Sequence, residues 1–168
     1  VESVLENNVP GDFIETGVWR GGTTIFMRAM LKVFGVTDRV VWAADSFEGL
    51  PVPKDNEDGW DVSEEVALKV SLEQVQANFE KFGLLDEQVR FLKGWFCDTL
   101  PTAPIETLAI LRLDGDLYSS TMDALDNLFP KVSKGGFVIV DDYYSWPACE
   151  RAVTDYLTKH SITADIQK

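Results

Sequence analysis

Short β-rich runs alternate with stretches of helical spacing along almost the whole chain, and that alternation admits few folds. It calls for a parallel sheet with helices on both faces, an α/β, doubly wound, Rossmann-like architecture. A first strand is expected at Asp12–Thr16, then a helix over Thr23–Phe34 that Gly35 closes. A second strand, Val40–Ala44, ends at Asp45, and the Pro, Asp and Gly of Pro51–Ser63 mark a long loop suited to a mobile lid. Helical spacing runs over Ser63–Phe82 and stops at Gly83, with a third strand at Val89–Leu92 and a fourth at Leu108–Leu113. A helix over Ser119–Phe129 leads through Lys134-Gly135-Gly136 into a fifth strand, Phe137–Val140, and a last helix, Trp146–Lys159. Ile162–Ile166 reads as the start of a further strand that lacks a partner. With 168 residues the chain is expected to form one domain, 1–168, and to be a piece trimmed at both ends.

The segment Glu15-Thr16-Gly17-Val18-Trp19-Arg20-Gly21-Gly22 follows the first strand and opens a helix. Glycines there permit close backbone approach, and the helix start offers N–H groups in a positive field, the usual reception for a nucleotide-like cofactor. The spacing E-x-G-x-x-x-G-G departs from the dinucleotide pattern G-x-G-x-x-G. An acid just before the first glycine suits a cofactor with a cationic amine, such as S-adenosylmethionine. The expected cofactor contacts are Glu15, Thr16, Gly17, Val18, Gly21, Gly22 and Thr23, and Thr23 or Thr24 is expected to N-cap the helix. Asp45, at the end of the second strand, is placed to accept ribose hydroxyls, with Ser46 and Phe47 beside it. Trp95, Phe96 and Asp98 follow the third strand, where aromatic faces stack on adenine and a carboxylate takes its amino group. A structural turn, a solvated loop acid and a packed Trp-Phe pair are the competing readings of these segments.

Two acidic dyads end the fourth and fifth strands: Asp114 with Asp116, and Asp141 with Asp142. Carboxylates that converge after buried strands repel one another unless a cation joins them. Asp114, Asp141 and Asp142 form an all-oxygen set suited to Mg²⁺, which polarises a substrate hydroxyl. Asp116, or Ser119, is the alternative N-cap of the following helix.

The formal charge of −13 argues against a nucleic-acid binder, which needs a basic stripe, and disfavours anionic membrane surfaces. Cys97 and Cys149 lie far apart with no CxxC spacing, which suits a reducing cytoplasm rather than a disulfide framework. The lone His160 sits at a helix end, where it complements the dipole. Trp60 and Trp146 offer aromatic surface for a homo-oligomer.

With both segments in view, GDFIETGVWRGGTTIFMRAML, VVWAADSFEGLP, LRLDGDLYSSTMDALDNLFPKVSKGGFVIVDDYY and the CERAV segment resemble the macrocin O-methyltransferase family from about Val9 to Lys159. The resemblance implies a class I, S-adenosylmethionine-dependent, Mg²⁺-dependent O-methyltransferase acting on hydroxyls of deoxysugars in natural products. By position it implies Asp114 as a metal ligand that also serves as general base, with Asp141 and Asp142 as the other ligands. It assigns Glu15, Gly17 and Asp45 to the cofactor. Catechol-type methyltransferases carry a lysine three residues after the first acid; Leu117 stands here, so that base is excluded. Relatives also carry an N-terminal covering segment and a further C-terminal strand. An NAD-dependent oxidoreductase would need the missing G-x-G-x-x-G and leaves the acids without a role. A cofactor-binding module without catalysis is the third reading.

Overall fold

The computed structural model describes residues 1–53, 58 and 61–167. Five strands, β1 (Asp12–Thr16), β2 (Val41–Asp45), β3 (Val89–Lys93), β4 (Leu108–Leu113) and β5 (Val132–Val140), form one sheet in the order β3-β2-β1-β4-β5. Every pairing is parallel. Helices α1 (Glu2–Glu6), α2 (Gly22–Val33), α3 (Leu72–Lys81), α4 (Phe96–Thr99), α5 (Tyr118–Leu128) and α6 (Pro147–Lys159) complete the chain. The order of the strands reverses between β1 and β4. In open α/β sheets ligands bind at such a switch point, outside the carboxyl ends of the strands.

Alternating side chains divide the core into two layers, as the period of a strand requires. Ile14, Trp42, Leu111 and Leu113 face one side, where Ala124, Leu125 and Leu128 of α5 and Val153 and Tyr156 of α6 cover them. Phe13, Val41 and Ile110 pack on the other side with Met27 and Leu31 of α2, and Ala109, skipped where the β1–β4 pairing shifts register, joins the same cluster. Val75 and Phe79 of α3 close over Val18, Ala43 and Val89. On β5 the first layer is satisfied by Val138 and Val140, whereas Phe137 and Ile139 on the opposite face remain about half exposed.

Several expectations need correction. The helix expected from Ser63 begins only at Leu72: Asp61 accepts both the backbone N–H and the hydroxyl of Ser63, at 3.0 and 2.7 Å, and holds a turn there. A single 3-10 turn at Val66–Leu68 follows, and Ser71 caps α3 by accepting the Gln74 N–H at 3.3 Å. β5 starts five residues before its expected position, because Gly135 and Gly136 lie inside the strand as an irregularity rather than ahead of it. Pairing with β4 jumps from Leu108↔Val132 to Ile110↔Phe137 at that point. Ile162–Ile166 forms no strand; Ile162 packs on the α5–α6 side and no ladder partner reaches the segment. Of the expected Pro51–Ser63 lid, residues 54–57 and 59–60, Trp60 among them, lie outside the described residues. Trp146 is half-buried at the start of α6. Among the described residues no helix is long and apolar enough to cross a membrane.

Candidate active site

β1 leads directly into the glycine turn. The Gly17 N–H donates to Ala44 O at 2.9 Å and the Asp114 N–H to Thr16 O at 2.8 Å, so the turn is pinned between β2 and β4. Gly17 has φ +90°, and a Cβ there would stand 1.7 Å from the Asp114 carbonyl oxygen; no other residue fits. The carboxylate of Asp45 organises the far side. Its Oδ2 accepts the Val18 and Trp19 N–H groups at 2.6 and 3.2 Å, and its Oδ1 accepts Phe47 N–H at 2.7 Å. Trp19, at φ +47°, donates its indole N–H to Ala67 O at 2.8 Å and so ties the 3-10 turn to the glycine turn.

These elements border a cavity of about 370 Å³ at the carboxyl ends of the strands. Gly17, Trp19, Asp45 and Ser46 form one wall, and Trp95, Phe96 and Cys97 another. Asp114, Asp116, Asp141 and Asp142 lie at the third side, next to Ser119, Ser120 and Asp123 of α5. A volume of that size, aromatic on one side and acidic on the other, fits a small cofactor together with a cation.

Not every residue expected at the cofactor reaches this cavity. Glu15 is buried behind the turn, where it accepts the Thr24 hydroxyl and the Arg112 guanidinium (2.6 Å). Thr16 turns its hydroxyl to Arg112 O at 3.3 Å, and Val18 joins the core under α3. Gly21 and Gly22 serve the helix start: Gly21 is the N-cap of α2 in the left-handed region, with no side-chain cap, so neither Thr23 nor Thr24 caps. A Cβ on Gly21 would press on Val75 and Phe79 rather than on a ligand. Asp98 is carried outward on α4 and is exposed. Asp45, Ser46, Trp95, Phe96 and Gly17 are brought together as expected.

The acids divide differently from the sequence pattern. Carboxylate oxygens of Asp114, Asp116 and Asp142 lie within 4.8 Å of one another and make up the group, among the described residues, able to hold a metal ion. Asp141 is outside that trio, and Arg112 engages both it, through Nη2 at 2.5 Å, and Asp114, through Nη1 at 2.6 Å. Asp116 does not cap α5, and neither does the Ser119 side chain: the N-cap is Leu117, and Asp58, 61 residues earlier in the chain, accepts the Ser119 N–H at 2.7 Å. Asp116 sits at φ +58°, and burial, then the neighbouring Asp142, pushes its carboxyl up to about 7. Burial also raises Asp114, against the pull of Arg112. Such mutual destabilisation is what a divalent cation relieves, and an all-carboxylate set is the donor chemistry Mg²⁺ takes.

Sequence pattern missed Arg112, which touches Asp114 and Asp141 as well as Glu15, and the α5 residues Ser120 and Asp123. Spacing held the signal for the latter, since Ser119, Ser120 and Asp123 share a helix face one turn apart.

Burial pushes Glu15 up to about 7, with Thr24 and Arg112 only partly offsetting it. A carboxyl raised in the folded state stabilises the fold fully below its unfolded pKa of about 4.5, and that stability is lost as pH rises through about 7. Denaturant titrations of wild type and Glu15→Gln across this window should therefore diverge by roughly 3 kcal/mol, wild type losing ground toward neutral pH. A difference independent of pH would contradict the assignment.

A parallel sheet of this order, with a glycine turn after β1 and the cavity at its switch point, is the Rossmann-like fold of class I methyltransferases. The family model for macrocin O-methyltransferase (TylF) matches residues 1–168. The chain belongs to that family. It is 57% identical over 173 residues to the demethyldecarbamoylnovobiocin O-methyltransferase of Streptomyces niveus, covering 99% of this chain and 65% of that protein. It is 57% identical to the 8-demethyl-8-(2,3-dimethoxy-alpha-L-rhamnosyl)-tetracenomycin-C 4'-O-methyltransferase of Streptomyces olivaceus, covering 100% of this chain and 66% of the relative. With the mycinamicin III 3''-O-methyltransferase of Micromonospora griseorubida the identity is 53%, over 99% of this chain and 68% of the relative. The chain thus spans about two-thirds of the length of these relatives. Among solved structures it superposes on the O-methyltransferase NovP with a TM-score of 0.97 at 56% identity, over 99% of this chain and 71% of that one. The fold is shared with the calicheamicin methyltransferase CalS11, with a TM-score of 0.77 at 22% identity over 98% of this chain and 70% of that one.

Proposed function

We propose that this chain carries the cofactor and metal centre of a Mg²⁺-assisted O-methyltransferase, which moves a methyl group from S-adenosylmethionine to a sugar hydroxyl of a secondary metabolite. The observation that carries the reading is the shared cavity, where the glycine turn and Asp45 meet the acids that follow β4 and β5. The names of the relatives, one of which specifies a rhamnosyl-bearing acceptor, support the acceptor class.

In this reading Asp45 keeps the backbone of the turn on one side of each oxygen and accepts ribose hydroxyls on the other. Trp95 and Phe96 offer faces for adenine. Asp114 and Asp142 hold the cation, with Asp141 or Asp116 as the third carboxylate, and Asp114 takes the proton that leaves the acceptor hydroxyl. Cofactor and cation supply, respectively, an electrophilic methyl group and polarisation of the hydroxyl oxygen. The protein's share is positioning and fixed charge. Cys97 and Cys149, neither of them in a disulfide, fit a reducing cytoplasm.

Calorimetric titration of Mg²⁺ in the presence of S-adenosylhomocysteine tests the metal half. Asp142→Asn should weaken Mg²⁺ at least about 10-fold, as loss of a ligand does. Equal affinity in both proteins would remove the metal centre from the account.

A further inference from the structure

Arg112 occupies the next-to-last position of β4, in register with Glu15 of β1 on one side and Ile139 of β5 on the other. Its side chain is 13% exposed, and it has three carboxylate partners rather than one. Nη1 lies 2.6 Å from Glu15 Oε1 and 2.6 Å from Asp114 Oδ2, and Nη2 lies 2.5 Å from Asp141 Oδ1. One planar guanidinium therefore laces together the carboxyl ends of three adjacent strands. Each acid is gripped through a single oxygen, so Asp114 and Asp141 each keep a second oxygen outside that grip. Glu15 anchors the other end, since its Oε2 is held by Thr24 at the start of α2. A lysine, with one point charge, cannot reproduce this fork.

We propose that Arg112 is a positioning residue: it holds Asp114 and Asp141 in the orientation that a divalent cation requires and fastens them to the glycine turn through Glu15. The role rests on the metal centre proposed above. It differs in sign from simple charge compensation. A guanidinium a few ångströms from a cation site repels the cation, so removing it would tighten binding if charge were all it contributed. If it orients the ligands, removing it loosens binding despite the lost repulsion.

The test is Mg²⁺ calorimetry on wild type, Arg112→Gln and Arg112→Lys, each with saturating S-adenosylhomocysteine, with thermal unfolding to establish that each variant is folded. Arg112→Gln should weaken Mg²⁺ about 10-fold, in the range seen for residues that orient metal ligands, and Arg112→Lys should lose roughly threefold although it keeps the charge. Unchanged or tighter Mg²⁺ binding by Arg112→Gln overturns the proposal. Should that variant not fold, Arg112→Lys decides alone, and wild-type affinity in it is the overturning result. A wild type that binds no Mg²⁺ overturns the metal centre and this role together, whereas a binding wild type with a tighter Arg112→Gln overturns this role only.

Discussion

Asp114→Asn should lower methyl transfer by about 10³-fold while leaving the chain folded. Three demands meet on that side chain. It belongs to the carboxylate group spaced for a cation, it is the acid the proposed chemistry uses to receive the hydroxyl proton, and it takes one fork of Arg112. Asparagine keeps the shape and one acceptor oxygen, so the Arg112 contact weakens without leaving a void. It cannot accept a proton, and it is a poorer Mg²⁺ ligand than a carboxylate. Release of S-adenosylhomocysteine, measured with a rhamnosylated secondary metabolite as acceptor, gives the rate. Retention of activity within about 10-fold of wild type would separate Asp114 from the reaction.

Gly17→Ala should be the most damaging single substitution in the cofactor turn, and its damage should appear in stability before activity. Two separate penalties apply. The backbone stands at φ +90°, where an L side chain is strained, and the new methyl would meet the Asp114 carbonyl at 1.7 Å. Neither partner can move cheaply, because the Asp114 N–H is bonded to Thr16 O and the Gly17 N–H to Ala44 O. A cost of about 3 kcal/mol or more is expected, lowering the midpoint of thermal unfolding by roughly 10 °C for a chain of this size. Because the clash displaces the backbone of Asp114 itself, Mg²⁺ affinity should fall in the same variant. A shift under about 1 °C would mean that the turn is far softer than its hydrogen bonds imply.

Much of the fold is legible in the chain because its central strands have no ambiguity. Asp12–Thr16 and Leu108–Leu113 appear with the expected limits, and Leu108–Leu113, apolar but for Arg112, reads as a strand buried on both faces does. Ser63–Phe82 misleads because helical spacing continues through a region that Asp61 and Ser71 break by local side-chain bonds, a competition periodicity does not register. Ile162–Ile166 has strand-like composition, yet a strand exists only where a neighbour completes its ladder. The glycine turn and the acids were visible as types but not as partners. Glu15 precedes the first glycine, as a cofactor acid would, but register sets it beside Arg112 and turns it inward. Arg112, 97 residues on from Glu15, also takes Asp114 and Asp141, while a carboxylate oxygen of Asp116 comes close to those of Asp114 and Asp142. Spacing along one strand cannot disclose what the next strand presents.

The most direct measurement is a crystal structure of the protein grown with Mn²⁺ in place of Mg²⁺ and with S-adenosylhomocysteine, using the anomalous signal of the metal. A single anomalous peak bonded to Asp114 and Asp142, with the nucleoside between Asp45 and Trp95–Phe96, is the predicted result. Bound nucleoside with no metal among the strand-end carboxylates, or a metal held elsewhere on the surface, would contradict it.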